Sequence, residues 1–95
     1  METPIVFPNP SDGSGPVSVG FQINRPVDHV TVLVVTVANR LIYDKVMPGP
    51  FGVGMNFAAL DLKDLKGVKL SNGTYYVYVE TPDGTRALGK LVILE

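Results

Sequence analysis

Residues 72–95 read Asn72-Gly73-Thr74-Tyr75-Tyr76-Val77-Tyr78-Val79-Glu80-Thr81-Pro82-Asp83-Gly84-Thr85-Arg86-Ala87-Leu88-Gly89-Lys90-Leu91-Val92-Ile93-Leu94-Glu95. Aromatic and β-branched residues fill both halves, the composition of strands that pack on a pleated surface. Between them stands Thr81-Pro82-Asp83-Gly84-Thr85. Proline presets the first turn position, aspartate suits the second and glycine takes the left-handed one, so the segment predicts a hairpin with a three-residue loop. Asn72-Gly73 opens the first strand as a turn of its own. One feature needs a further reason: three of the four tyrosines, Tyr75, Tyr76 and Tyr78, fall within four positions. A strand requires only one buried face, and tyrosines on the other call for an explanation.

Outward from this hairpin the same period continues. Val17, Val19, Phe21 and Ile23 alternate with Ser18, Gly20 and Gln22, the pattern of a half-buried strand. Asn24-Arg25-Pro26-Val27-Asp28 interrupts it. His29 to Val37 is then β-branched at almost every position, as in a central or covered strand. Ala38-Asn39-Arg40 predicts a turn with Asn39 left-handed, and Leu41 to Val46 the returning strand. Met47 to Gly54, with two prolines and three glycines, reads as a loop. Met55 to Leu60 is a weaker strand. Asp61-Leu62-Lys63-Asp64-Leu65-Lys66-Gly67 carries an aspartate, an acid three residues later and a closing glycine, which predicts one turn of helix. With 1–15 as lead-in and first edge strand, the expected fold is a single all-β domain over 1–95, a β-sandwich of about seven antiparallel strands.

Composition narrows the function. Ninety-five residues make one domain able to bury a core without metal or disulfides. The absence of cysteine removes thiolate nucleophiles and cysteine zinc sites. A net charge of −1 with dispersed basic residues predicts no nucleic-acid partner, and no run is apolar enough for membrane insertion. Its opening lacks the apolar core of a signal peptide, so action outside the cytoplasm would depend on an export signal elsewhere in a parent protein. A mean hydropathy of +0.22 points to apolar side chains left on the surface.

Pro8-Asn9-Pro10, Val30-Thr31-Val32-Leu33-Val34, Ser71-Asn72-Gly73-Thr74-Tyr75-Tyr76-Val77 and Lys90-Leu91-Val92-Ile93-Leu94 together resemble the FlgD-like immunoglobulin-like domain family. They also resemble the related C-terminal sorting domains of type IX secretion substrates. The likeness runs from about Val6 to Glu95. It departs where the family often has Trp-Asp and this chain has Leu60-Asp61, and where Thr36 replaces an aspartate. The resemblance implies an immunoglobulin-like sandwich serving as a non-catalytic C-terminal module of an exported bacterial protein, at the cell surface or outside it. It also implies, through its G-x-Y motif, that Tyr75 points inward with Val77 and Val79.

Tyr76, Tyr78 and Glu80 then point outward. If Val30, Val32 and Val34 face the core, Leu33 and Val35 face out; if Leu91 and Ile93 face in, Val92 and Leu94 face out. In an immunoglobulin-like sandwich these strands share a sheet. Leu33, Val35, Tyr76, Tyr78, Val92 and Leu94 are therefore the candidate docking face, for a neighbouring domain of a parent protein or a second copy. Two readings of it stand. Tyrosine suits an interface, burying a ring while keeping a polar tip; the plainer alternative is strand propensity satisfied by cross-strand pairs. A sorting domain recognised by type IX machinery is the alternative function. A carbohydrate-binding face is a third, weakened by the lack of tryptophan and of polar groups among the rings.

Catalysis has no residue set. His29 is the single histidine and no serine sits in a G-x-S-x-G elbow. Asp61, Asp64 and Asp83 lack the oxygen-ligand ladder of a calcium loop and read as turn and capping residues. Asn72-Gly73-Thr74 matches a glycosylation sequon that turn chemistry explains better, and Gly13-Ser14-Gly15 is too short for a phosphate loop. No cofactor or metal is expected.

Overall fold

The computed structural model describes residues 4–9, 11–13 and 15–95. Seven strands form: β1 (Ile5–Phe7), β2 (Val17–Ile23), β3 (Val27–Thr36), β4 (Leu41–Phe51), β5 (Gly54–Leu60), β6 (Gly73–Glu80) and β7 (Arg86–Ile93). They make two antiparallel sheets, ordered β1-β2-β5 and β4-β3-β6-β7. The chain is thus the expected β-sandwich. In constant-type immunoglobulin domains the fourth strand joins the first sheet; here β4 pairs with β3.

The core is the space between the sheets, and period-two alternation fills it. Val30, Val32 and Val34 of β3, Val77 and Val79 of β6, Leu91 and Ile93 of β7 and Val17, Val19 and Phe21 of β2 are buried. Phe51 meets Phe21 edge-on at 5.3 Å between ring centroids. Tyr43, on β4, joins this cluster, and its burial together with the Asp61 charge pushes the phenol pKa up.

Tyr75 is buried, and its hydroxyl donates to the Ser71 carbonyl at 2.7 Å. The ring thereby ties the start of β6 to the preceding connection, the tyrosine corner of immunoglobulin-like sandwiches. In Gly73-Thr74-Tyr75 the tyrosine makes this bond.

The β6–β7 loop has the predicted three-residue form. Thr81 N–H donates to the Thr85 carbonyl at 2.9 Å, Gly84 N–H to the Thr81 carbonyl at 2.9 Å, and Gly84 has φ +88°. That φ suits a residue without Cβ. Asn39, at φ 65°, likewise takes the left-handed turn between β3 and β4.

Two expectations are corrected. Met47 to Phe51 continues β4 instead of forming a loop, because β4 is an edge strand and proline is tolerated there. Ile42 turns its carbonyl away from β3 to accept from Leu65 N–H at 3.0 Å; by alternation Pro48 stands on the same open side, where its missing N–H breaks no ladder bond. No helical turn forms at 61–67. The Asp64 side chain accepts from the N–H groups of Lys66 and Val68, both at 2.9 Å, and Gly67 N–H donates to the Asp64 carbonyl at 3.0 Å. Asp64, expected as the acid three residues after a capping Asp61, closes a tight turn instead, and Leu62 is buried beside it.

The opposite edge, β7, is covered by the N-terminal segment. Ser11 exchanges backbone bonds with Val92 and Leu94, both at 2.8 Å, in parallel pairing. Asn9 extends that pairing with its side chain: Nδ2 donates to the Lys90 carbonyl at 2.8 Å and Oδ1 accepts from Val92 N–H at 2.9 Å. A primary amide has the donor and acceptor of a peptide group, so Asn9 imitates one residue of a strand. Gly89 permits the close approach of β1, since a Cβ there would meet the Pro4 carbonyl at 3.1 Å.

Candidate interaction surfaces

The outer face of the four-stranded sheet follows from register. Leu33 lies between Asp44 of β4 and Tyr78 of β6, and Tyr78 is in turn opposite Leu88 of β7. One row on, Val35 lies between Leu41 and Tyr76, with Lys90 beyond. Four of the six expected residues therefore meet as two adjacent pairs, Leu33 with Tyr78 and Val35 with Tyr76. Val92 stands opposite Thr74, further along the sheet, and Leu94 lies past the end of β7, exposed. The tyrosines' neighbours on β7 are instead Leu88 and Lys90. Strand alternation was legible in the sequence, but the offset between β6 and β7 depended on the loop, and Leu88 was missed for that reason.

These side chains are less open than alternation alone implies. Leu33, Tyr76, Tyr78 and Val92 are half-buried, and Val35, although on the outer face, is only 9% exposed. Arg86 lies over the Tyr78 ring, 5.1 Å from its centroid, while its guanidinium pairs with Glu80 at 2.6 Å. The ring is engaged by a cation, which makes Tyr78 a poor platform for stacking a sugar.

The outer face of the three-stranded sheet is more open. Pairing aligns Phe7 with Ser18 and Ala59, Ile5 with Gly20 and Phe57, and Gln22 with Met55. Phe57, Ile5, Met55 and Phe7 are 57%, 53%, 46% and 45% exposed. Phe7 and Phe57 meet edge-on at 6.1 Å, and the Phe57 ring lies across Gly20, where a Cβ would come within 3.0 Å of it. The sequence signal existed in Ile5-x-Phe7 and Met55-x-Phe57, large side chains at period two. It was unread because nothing local tells which of two apolar faces meets the core.

At one end of the sandwich the β2–β3 and β6–β7 loops are joined by an Arg25–Asp83 ion pair, beside a depression lined by Asn24, Val53 and Thr85. Asp83 also accepts from the Thr81 hydroxyl and, at 3.0 Å, from Thr85 N–H. These bonds, the Thr81 hydroxyl foremost, hold its carboxyl far below the ordinary carboxylate pKa. Its oxygens serve the turn.

His29 Nδ1 lies 2.7 Å from Oδ1 of the neighbouring Asp28, at a partly exposed site. Among the described residues no group of three or more histidines and carboxylates is gathered as a metal site.

No protein-family model matches the chain, and no curated protein matches it in sequence. Solved structures do match in fold. A chain of PorU from Porphyromonas gingivalis, in its dimeric latent form, superposes with a TM-score of 0.72 at 25% identity over 96% of this chain. PorZ, described as an essential bacterial surface component of the type-IX secretion system of the same organism, superposes with a TM-score of 0.64 at 19% identity over 97% of it. This chain spans 9% of the PorU chain and 11% of the PorZ chain.

Proposed function

We propose that this chain is a non-catalytic interaction module of an exported bacterial protein, docking through the outer face of its four-stranded sheet with Leu33, Tyr76 and Tyr78 at the centre. The observation that carries this reading is the fold likeness: nearly all of this chain resembles about a tenth of each of two much longer proteins, one a surface component of a secretion system. A small sandwich recurring inside large chains suits a module that positions or attaches its neighbours. The apolar centre ringed by Asp44, Glu80, Arg86 and Lys90 has the makeup of a polar-rimmed interface. In the parent protein, Leu33→Lys should lower the melting temperature by more than it does in the isolated chain, where Leu33 is already half-buried. An equal shift in both contexts overturns the docking face.

A second reading is favoured by the secretion-system neighbour itself: the module is a sorting domain recognised by type IX machinery. Fusion of the chain to a reporter in a type IX host separates the two. Surface delivery that is lost in a secretion-defective strain supports the sorting domain. Retention of the fused reporter in the wild-type strain supports the structural module.

A further inference from the structure

We propose that the outer face of the three-stranded sheet, with Ile5, Phe7, Met55 and Phe57 grouped about Gly20, pairs with the same face of a second copy. This goes beyond the docking face above, which lies on the other sheet.

Charge selects the occupant. Among the described residues the outward side chains of β1, β2 and β5 are Ile5, Phe7, Ser18, Gln22, Met55, Phe57 and Ala59, with Gly20 between them, and none is charged. A two-fold pairing sets a surface against itself, so like charges would meet like. This face meets that condition. The opposite face, carrying Asp44, Glu80, Arg86 and Lys90, meets it only if each charge finds its complement across the axis.

Size points the same way. Four side chains at about half exposure present on the order of 400 Å² of apolar surface, the scale at which a patch marks an interaction. A standard interface with an unrelated protein takes roughly 800 Å² from each side and relies on polar groups to fix orientation. This face has half that area and only Ser18 and Gln22 to orient a partner. A second copy needs no separately matched surface, and the small area then sets a low affinity. The centre of the face is filled: the Phe57 ring lies across the buried Gly20 and meets Phe7 edge-on, with Ile5 on the other side of Gly20. A copy turned about a two-fold axis sets its own aromatic pair, Phe7 and Phe57, against this surface. The area predicts a weak, reversible dimer.

Sedimentation velocity on the 95-residue chain, from about 10 µM to about 1 mM, tests this by mass action. A dimer forming reversibly over this range is expected, with Phe57→Lys weakening it tenfold or more and Leu33→Lys leaving it unchanged. Circular dichroism reports whether each variant is folded; Met55→Glu, at a residue with no ring partner, gives the same reading should Phe57→Lys fail to fold. A monomer at every concentration overturns the proposal. So does a dimer that survives both Phe57→Lys and Met55→Glu, or one that Leu33→Lys dissolves while they do not, which would move self-association to the other sheet.

Discussion

Tyr75 and Asp83 each hold a corner of the sandwich by hydrogen bonds to residues within four positions, and Asp83 adds an ion pair to Arg25 of a second loop. Tyr75→Phe keeps the buried ring and removes the hydroxyl's interactions with Ser71, 2.7 Å to the carbonyl and 3.4 Å to Oγ. A loss of about 1 kcal/mol is expected, read as a lower urea midpoint with an unchanged slope. Asp83 gives a pH dependence. Its folded pKa lies below the unfolded value near 3.8, so its contribution is complete above that value and is lost as pH falls toward the folded one. Asp83→Asn should therefore be less stable than wild type at pH 7, and the difference in urea midpoint should close as the pH is taken below 4. A difference that widens on acidification would contradict the assignment.

At the scale of elements, the two sheet edges of the four-stranded sheet are managed differently. The β4 edge is blunted by Pro48 and by Leu65, which occupies the Ile42 carbonyl. Edge strands left open invite pairing with other chains. The β7 edge is covered by Asn9 and Ser11. Asn9→Ala should cost about 1 kcal/mol and, more tellingly, speed amide exchange at Val92 while leaving Val77, in the middle of β6, protected. Uniform acceleration across the sheet would mean that Asn9 acts on global stability and not on the edge. The Pro8-Asn9-Pro10 motif thus acquires a physical role: its asparagine continues a strand by side chain.

For the whole molecule, the order of pairing matters. β2 finds β5 and β3 finds β6 only across long stretches of intervening chain. Closing such loops costs entropy before any contact repays it, so refolding should take milliseconds to seconds, as for other sandwiches. Stopped-flow refolding from urea checks this; microsecond folding would be inconsistent with the topology. The same closure creates both outer faces, and so decides which apolar residues remain for partners.

Local chemistry determined the strands, the Thr81-Pro82-Asp83-Gly84-Thr85 hairpin and the Asn39 turn, because period and turn residues act over a few positions; the inward direction of Val77 and Val79 came from the resemblance through its G-x-Y motif. Only the tertiary structure decided the rest. Whether Met47 to Phe51 is loop or strand depended on β4 being an edge, since proline is excluded only where its N–H is needed. Whether 61–67 forms a helical turn capped by Asp61 or a tight turn closed by Asp64 depended on Leu62 being drawn into the core and Leu65 bonding to β4. Of the expected docking residues, Leu33, Val35, Tyr76 and Tyr78 were brought together as neighbours, while Val92 and Leu94 were set apart by the β6–β7 register, in which the three-residue loop sets Tyr78 opposite Leu88 and Tyr76 opposite Lys90. The exposed face of Ile5, Phe7, Met55 and Phe57 exists because three distant strands share a sheet, and period two says that a strand has two faces without saying which one meets the core.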